Sequence, residues 1–226
     1  MSSLRIAAPG DGRAVSRLAS ISLGGTLEGG APLIEAIERQ GGVVPIRFGQ
    51  GSCIVAESEG HVIGMVYAVP PVDWLGTFPS DRAAALAPRI LQIELLAVDP
   101  DHRETGIGQR LLEAVEELVR KQRGYLAIGK VQAGAFATMR FYRRRGYSIA
   151  GRGEPIVFGT GRGPLGISDV DDGYHLFAKA VQPGTKLSRD PQNNCIFLTT
   201  AQHSLDRGGV EVKGTPRPTL SSSRVG

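Results

Sequence analysis

Ile90 to Val98 reads ILQIELLAV, a nearly continuous apolar run that stops at Asp99-Pro100. A run of that length bounded by a turn signal is a strand covered on both faces, so the chain must place other elements above and below it. One charge interrupts the run, Glu94. After the loop from Pro100 to Thr105, residues Ile107, Leu111, Leu112, Val115, Leu118 and Val119 recur at helical spacing as far as Gly124. They form one apolar stripe of an amphipathic helix. A buried strand feeding such a helix belongs to a layered α and β fold, and it excludes collagen and coiled coil.

The other segments fit the same frame. Leu4 to Ala8 is a short apolar run closed by Pro9-Gly10-Asp11-Gly12, and Val15, Leu18, Ala19 and Ser22 follow with helical spacing. A Gly-rich break at Gly24, Gly25, Gly29 and Gly30 leads to Pro32 in a first helical turn, with Leu33, Ile34 and Ile37 on one face until Gly41-Gly42. Ser52 to Glu57 and His61 to Val69 are β-rich runs joined by Ser58-Glu59-Gly60, an antiparallel hairpin ended by Pro70-Pro71. Val72 to Arg89 reads equally as loop or short helix. Tyr125 to Val131 is a strand, and Ala133 to Arg145 a helix with Phe136, Met139 and Tyr142 on one face, capped by Gly146. Tyr147 to Ala150 and Tyr174 to Ala180 are strands separated by a long Gly-rich insertion, Gly151 to Gly173. The element order β, α, α, β, β, β, α, β, α, β, β makes an α/β (α+β) fold, a mixed sheet with helices on both faces.

From Val181 onward the chain is polar and holds one aromatic residue, Phe197. The expectation is a domain over residues 1–182 and a flexible polar extension over 183–226, although Cys195 to Leu198 has the composition of a strand. Two cysteines 142 positions apart, Cys53 and Cys195, match no zinc spacing and exclude a small disulfide scaffold. No metal-ligand pattern is present. The first twenty residues lack the apolar run of a signal peptide, and no stretch approaches the roughly 18 apolar residues of a membrane span, which points to a cytoplasmic protein.

Charge is concentrated. Between Pro100 and Arg145 lie ten basic residues and five acidic ones, so this segment carries +5 within a chain of net charge +4. A local excess beside a near-neutral remainder fits an anionic small ligand, whereas a nucleic-acid binder shows a broader basic face with interleaved aromatics. Lys121 and Arg123 have a plainer account as cations at a helix C-terminus.

The anion has an obvious seat. In Arg103-Glu104-Thr105-Gly106-Ile107-Gly108, between the buried strand and the amphipathic helix, Gly106 and Gly108 let a ligand approach the main chain, and the first-turn N–H groups are ready donors. Other phosphate loops fail. No GxxxxGK[ST] occurs, Leu111 stands where a dinucleotide fingerprint needs its third glycine, and the formal GxGxxG at Gly161, Gly163 and Gly166 contains Pro164 and opens no helix.

These residues resemble a family. Arg103-x-x-Gly106-x-Gly108 after a strand ending Val98-x-Pro100, with Leu111-Leu112 in the next helix, resembles the acyl-CoA loop of the GNAT superfamily of N-acetyltransferases. Independently, Phe141-Tyr142-Arg143-Arg144-Arg145-Gly146-Tyr147 is similar to that family's FYxxxGF/Y helix end. The resemblance covers Leu4 to about Ala180. It departs at Ala135, where the family often has Asn.

The resemblance implies a central sheet splayed after the strand that precedes the loop, with the pantetheine of acetyl-CoA along Leu96, Ala97 and Val98. The pyrophosphate then rests on the amides of Arg103, Glu104, Thr105, Gly106, Ile107, Gly108 and Gln109. It implies an N-acetyltransferase in which a primary amine attacks directly, with Tyr142 as the acid for the departing thiolate and Glu94 or an ordered water as the base. An ionisable group in an apolar strand suits the basic role. His61 and His102 read as a strand residue and a loop residue. The partner implied is a small-molecule or peptide amine, with neither nucleic acid nor membrane, and a homodimer is allowed. The acceptor would be shaped by Ser20 to Gln50 and Gly151 to Gly173. The competing reading is a non-catalytic acyl-CoA sensor, against which the presence of Tyr142 counts.

Overall fold

Alternation sets the layers. A computed structural model of the protein describes residues 2–23, 31–168 and 173–200. Strand β1 (Ser3–Ile6) is followed by helices α1 (Gly12–Leu23) and α2 (Ala31–Gln40) and strands β2 (Val43–Ile46), β3 (Gly49–Ser58) and β4 (His61–Val69). Strands β3 and β4 form the expected antiparallel hairpin. Ile54 and Ala56 of β3 turn to one face of the sheet while Cys53 and Val55 turn to the other. The second face is covered by Val15 and Leu18 of α1 and Ile37 of α2.

Two short helices, α3 (Val72–Leu75) and α4 (Ser80–Leu86), occupy the stretch whose sequence left loop and helix open, and they lead into β5 (Ile90–Val98). Helix α5 (Ile107–Lys121) then crosses to β6 (Leu126–Gln132), which pairs parallel to β5. A crossover helix between neighbouring parallel strands is what that geometry requires. Leu111, Leu112, Val115 and Val119 of α5 pack beneath Ile54, Val66, Leu91 and Ala127, so helices lie on both faces of the sheet. Helix α6 (Phe136–Arg144), β7 (Ser148–Ile149), the hairpin β8 (Ile156–Thr160) and β9 (Gly163–Ile167), and β10 (Tyr174–Ala180) follow. The large sheet runs β1-β3-β4-β5-β6-β10-β7 with β2 on β3, a mixed sheet as expected.

The polar extension is corrected by the structure. Residues 183–200 are not a flexible tail, because β11 (Thr185–Asp190) and β12 (Cys195–Thr200) form a hairpin, and β12 pairs parallel to β8. With the β8–β9 hairpin, which lies within the Gly-rich insertion, they make a second sheet in the order β11-β12-β8-β9. Its inner face carries Ile156, Phe158, Ile167 and Ile196 against Leu75, Leu86, Ile90 and Leu126. Four apolar residues in polar chain look like too little to fold, but they are completed by a strand some forty positions earlier. Residues 201–226 lie outside the described residues, as do Gly24, Gly25, Gly29 and Gly30 of the Gly-rich break.

Ile196 is 1% exposed. Ile196→Ala should cost about 2–5 kcal/mol, the range for deleting that much buried side chain, and lower Tm by several degrees. Thermal unfolding by circular dichroism checks this. An unchanged Tm would restore the extension to a mere appendage.

Candidate active site

The sheet opens at one place. Pairing between β5 and β6 covers only Ile90↔Leu126 through Ile93↔Gly129. On the other edge of β5, Tyr67 faces Leu95 and Ala68 faces Ile93, so Glu94 is an extra residue in the ladder with β4. A bulge of this kind bends its strand, and here the bend comes where β5 leaves β6. The two strands diverge beyond it, and the run from Glu94 to Val98 is accordingly half-open to a cleft, not covered on both faces along its whole length.

The cleft has a volume of about 1450 Å³. Its walls are Glu94 to Val98 of β5, the start of α5, Lys130 to Gln132 of β6 and one side of α6. Among the predicted site residues, Glu94, Leu96, Ala97, Val98, Arg103, Glu104, Gly106, Ile107, Gly108, Gln109 and Tyr142 all line it. Thr105 is turned back, its hydroxyl donating to the His102 carbonyl at 2.6 Å.

The loop before α5 is held from outside the cleft. Asp99 accepts from the Asp101 amide at 3.2 Å and pairs with Arg17 of α1 at 2.6 Å. The Arg17 guanidinium holds the Asp99 carboxyl below the usual range. Gly106 is the N-cap of α5 at φ +84°, a left-handed conformation in which a Cβ would meet nothing within 4 Å. Its side is open to the cleft, as a ligand-facing glycine requires.

Gly108 lines the cleft as well, and a Cβ there would sit 3.2 Å from Cζ of Phe141, so its small size also leaves room for that ring of α6 beside the start of α5.

Tyr142 is 6% exposed, its ring stacked on Phe177 with centroids 3.8 Å apart and met edge-on by Tyr147 at 5.6 Å. Phe177 can lie there because its partner across the ladder is Gly129, where a Cβ would clash with the Cζ end of the Phe177 ring. Tyr147 is anchored by Glu116 of α5, a carboxylate 3% exposed that accepts from the Tyr147 hydroxyl at 3.2 Å, from Lys179 of β10 at 2.8 Å and from Arg120 at 3.3 Å. Burial pushes the Tyr142 phenol well above its ordinary value, so it stays protonated at neutral pH.

Glu94 stands in the cleft opening, its carboxylate accepting from the Gln92 amide at 2.5 Å. Surrounding protein desolvates it and raises its pKa, against the lowering influence of that hydrogen bond and of Lys130. It is a stronger base than an ordinary surface carboxylate.

Lys130, Arg140, Phe141, Arg144, Arg145 and Tyr174 are among the lining residues that the sequence reading did not assign. The basic run on α6 was visible as charge. Its direction was not, since only the packing of α6 on α5 aims it at the space beyond Gly108. The cleft therefore offers helix N–H donors and several cations to an extended anion, with a phenol and a carboxylate at the parted strands. Among the described residues no cluster of His, Cys, Asp or Glu is gathered as metal ligands, and no helix is long and apolar enough to cross a membrane.

N-acetyltransferase 8 of Homo sapiens is 36% identical over 108 residues, which are 46% of this chain and 41% of that protein. The chain thus matches less than half the length of this relative. Ard1 from Thermoplasma volcanium superposes with a TM-score of 0.54 at 20% identity, covering 80% of this chain and 98% of that one. The ribosomal-protein-S18-alanine N-acetyltransferase from Escherichia coli gives 0.53 at 15%, covering 80% and 95%. The protein yncA from Salmonella typhimurium, solved with its cofactor acetyl-CoA, gives 0.53 at 14%, again covering 80% and 95%. These three likenesses bear on the fold. The model of the acetyltransferase (GNAT) family matches residues 32–147, from α2 through the parted strands to Tyr147, and the chain belongs to that family.

Proposed function

We propose that the protein transfers an acetyl group from acetyl-CoA to a primary amine by direct attack, acting in the cytoplasm. The observation that carries this reading is the parting of β5 and β6 directly beside the N-terminus of α5, whose cap is a left-handed glycine open to the cleft. An extended pantetheine chain fits a sheet edge exposed by parting strands, and a diphosphate fits helix N–H groups. Cys53 and Cys195, both free and buried, suit a reducing compartment.

Acetyl-CoA supplies the activated carbonyl and the leaving thiolate. The chain's own groups do the rest. Main-chain groups of Leu96 to Val98 orient the thioester arm, and the amides from Gly106 to Gln109 hold the diphosphate. The Glu94 carboxylate, or water that it orients, takes the proton from the amine nitrogen. Tyr142 directs its phenolic O–H at the departing sulfur. Because its pKa exceeds that of a thiol, it acts by donating a strong hydrogen bond as charge develops on sulfur. Release of free thiol from acetyl-CoA across a panel of metabolite, polyamine and peptide amines tests the reading. Tight CoA binding with no thiol release from any amine would favour the sensor.

The base has its own signature. With the Glu94 pKa raised, kcat/KM should fall on the acid side along a limb above the ordinary carboxylate range, because activity needs the deprotonated form. Glu94→Gln should erase that limb and lower kcat by about tenfold or more, less than a full general-base loss because water in the open cleft takes over part of the task. An unaltered pH profile would assign the proton to water alone.

A further inference from the structure

Arg145 is oddly placed for a surface cation. It follows the last residue of α6 and lines the cleft, its guanidinium over the Phe141 ring at 3.7 Å from the centroid. One nitrogen, Nη1, donates to the Phe141 carbonyl at 3.0 Å. Nε is buried without a protein acceptor within hydrogen-bond reach. Burial, with Arg144 close by, disfavours the charged form. The carboxylate that acts on Arg145 is Glu113, nearly two turns into α5, and it accepts its hydrogen bond from Gln109 at 2.9 Å. A guanidinium whose Nε is covered and lacks an acceptor is costly, and an anion at its outer N–H groups offsets that cost.

The position of that cation along the cleft identifies the anion. The ring that Arg145 covers is the one that touches Gly108, so the guanidinium is a single aromatic side chain away from the first turn of α5. Taking the acetyl-CoA reading as given, the diphosphate occupies that turn and the thioester lies back toward Glu94 and Tyr142. What remains of the molecule beyond the diphosphate is adenosine bearing a 3′-phosphate. The lining left for it is the basic side of α6, with Arg140, Arg144 and Arg145. Guanidinium groups suit a phosphate dianion through paired N–H donors in a fixed plane.

We propose that Arg145, supported by Arg144, is a specificity-determining residue that binds the 3′-phosphate and so selects coenzyme A over its 3′-dephospho form. Phe141 is the platform that sets the guanidinium at the required place. Arg144, exposed on the next position, adds charge and not fixed geometry.

Calorimetric titration of the full chain with CoA and with 3′-dephospho-CoA tests this without any turnover. The wild-type protein should bind CoA at least about tenfold more tightly, the size of a good charge-assisted phosphate contact. Arg145→Gln should bring CoA down to the affinity of the dephospho form, while the dephospho form keeps its affinity within about twofold. Arg145→Lys, which keeps the charge and loses the planar fork, should fall between. Equal tight binding of both ligands by the wild-type protein overturns the proposal and leaves the acetyl-CoA reading standing. An equal loss for both ligands in Arg145→Gln also overturns it, since the residue would then serve the diphosphate or the fold. If neither ligand binds the wild-type protein, the acetyl-CoA reading fails and takes this proposal with it.

Discussion

Tyr142→Phe should lower kcat by about 10² to 10³-fold while CoA affinity stays within a few-fold. The variant retains the ring, so the stack on Phe177 at 3.8 Å and the edge contact with Tyr147 at 5.6 Å persist and the fold should hold. Only the O–H is lost. Its proton is present at neutral pH because burial pushes the phenol above its usual range, and a donor that acts as charge grows on sulfur matters in the transition state far more than in the ground state. Turnover with any amine that supports thiol release, measured beside CoA binding and Tm, decides it. Unchanged turnover would remove Tyr142 from the mechanism. A collapse of Tm would make it a packing residue alone.

Gly106→Asp should weaken CoA binding by more than about tenfold. Three causes act together. At φ +84° any L-residue is strained by about 1 kcal/mol, and the new carboxylate stands at the N-cap of α5, where it would accept from the same first-turn amides that the diphosphate needs. It also sets negative charge against negative charge. Since a Cβ at this position meets nothing within 4 Å, the change adds no clash, and the fold has only the backbone strain to absorb. Gly106→Ala is the control, because it adds the strain without the charge and should lose less. Near-normal CoA affinity in Gly106→Asp would sink the assignment of this loop as the diphosphate site.

Local pattern determined much of this protein in advance. The hairpin of β3 and β4, the apolar run of β5, the stripe of α5 and the boundaries of β10 all follow from side-chain period and turn residues, which act within a few positions of the chain. The loop from Arg103 to Gly108 and the helix end around Tyr142 were legible for the same reason: their chemistry is written in contiguous residues, and each matches a known motif on its own. The cleft that they share was implied by family resemblance, not by any local rule.

What only the tertiary structure decided involves partners far apart. That pairing of β5 with β6 ends at Ile93↔Gly129, and that Glu94 is the bulged residue at the bend, depends on the register of three strands at once. The room beside Gly108 is shared with Phe141 from another helix, and Tyr142 is fixed because Gly129 admits Phe177. The second sheet is the plainest case. Cys195 to Leu198 carries too little apolar surface to specify a strand alone, and it becomes one by pairing with β8 and covering Ile90 and Leu126. Side-chain period reports which residues seek burial, but which surfaces bury them is settled by long-range closure of the chain, and no window of neighbouring residues contains that information.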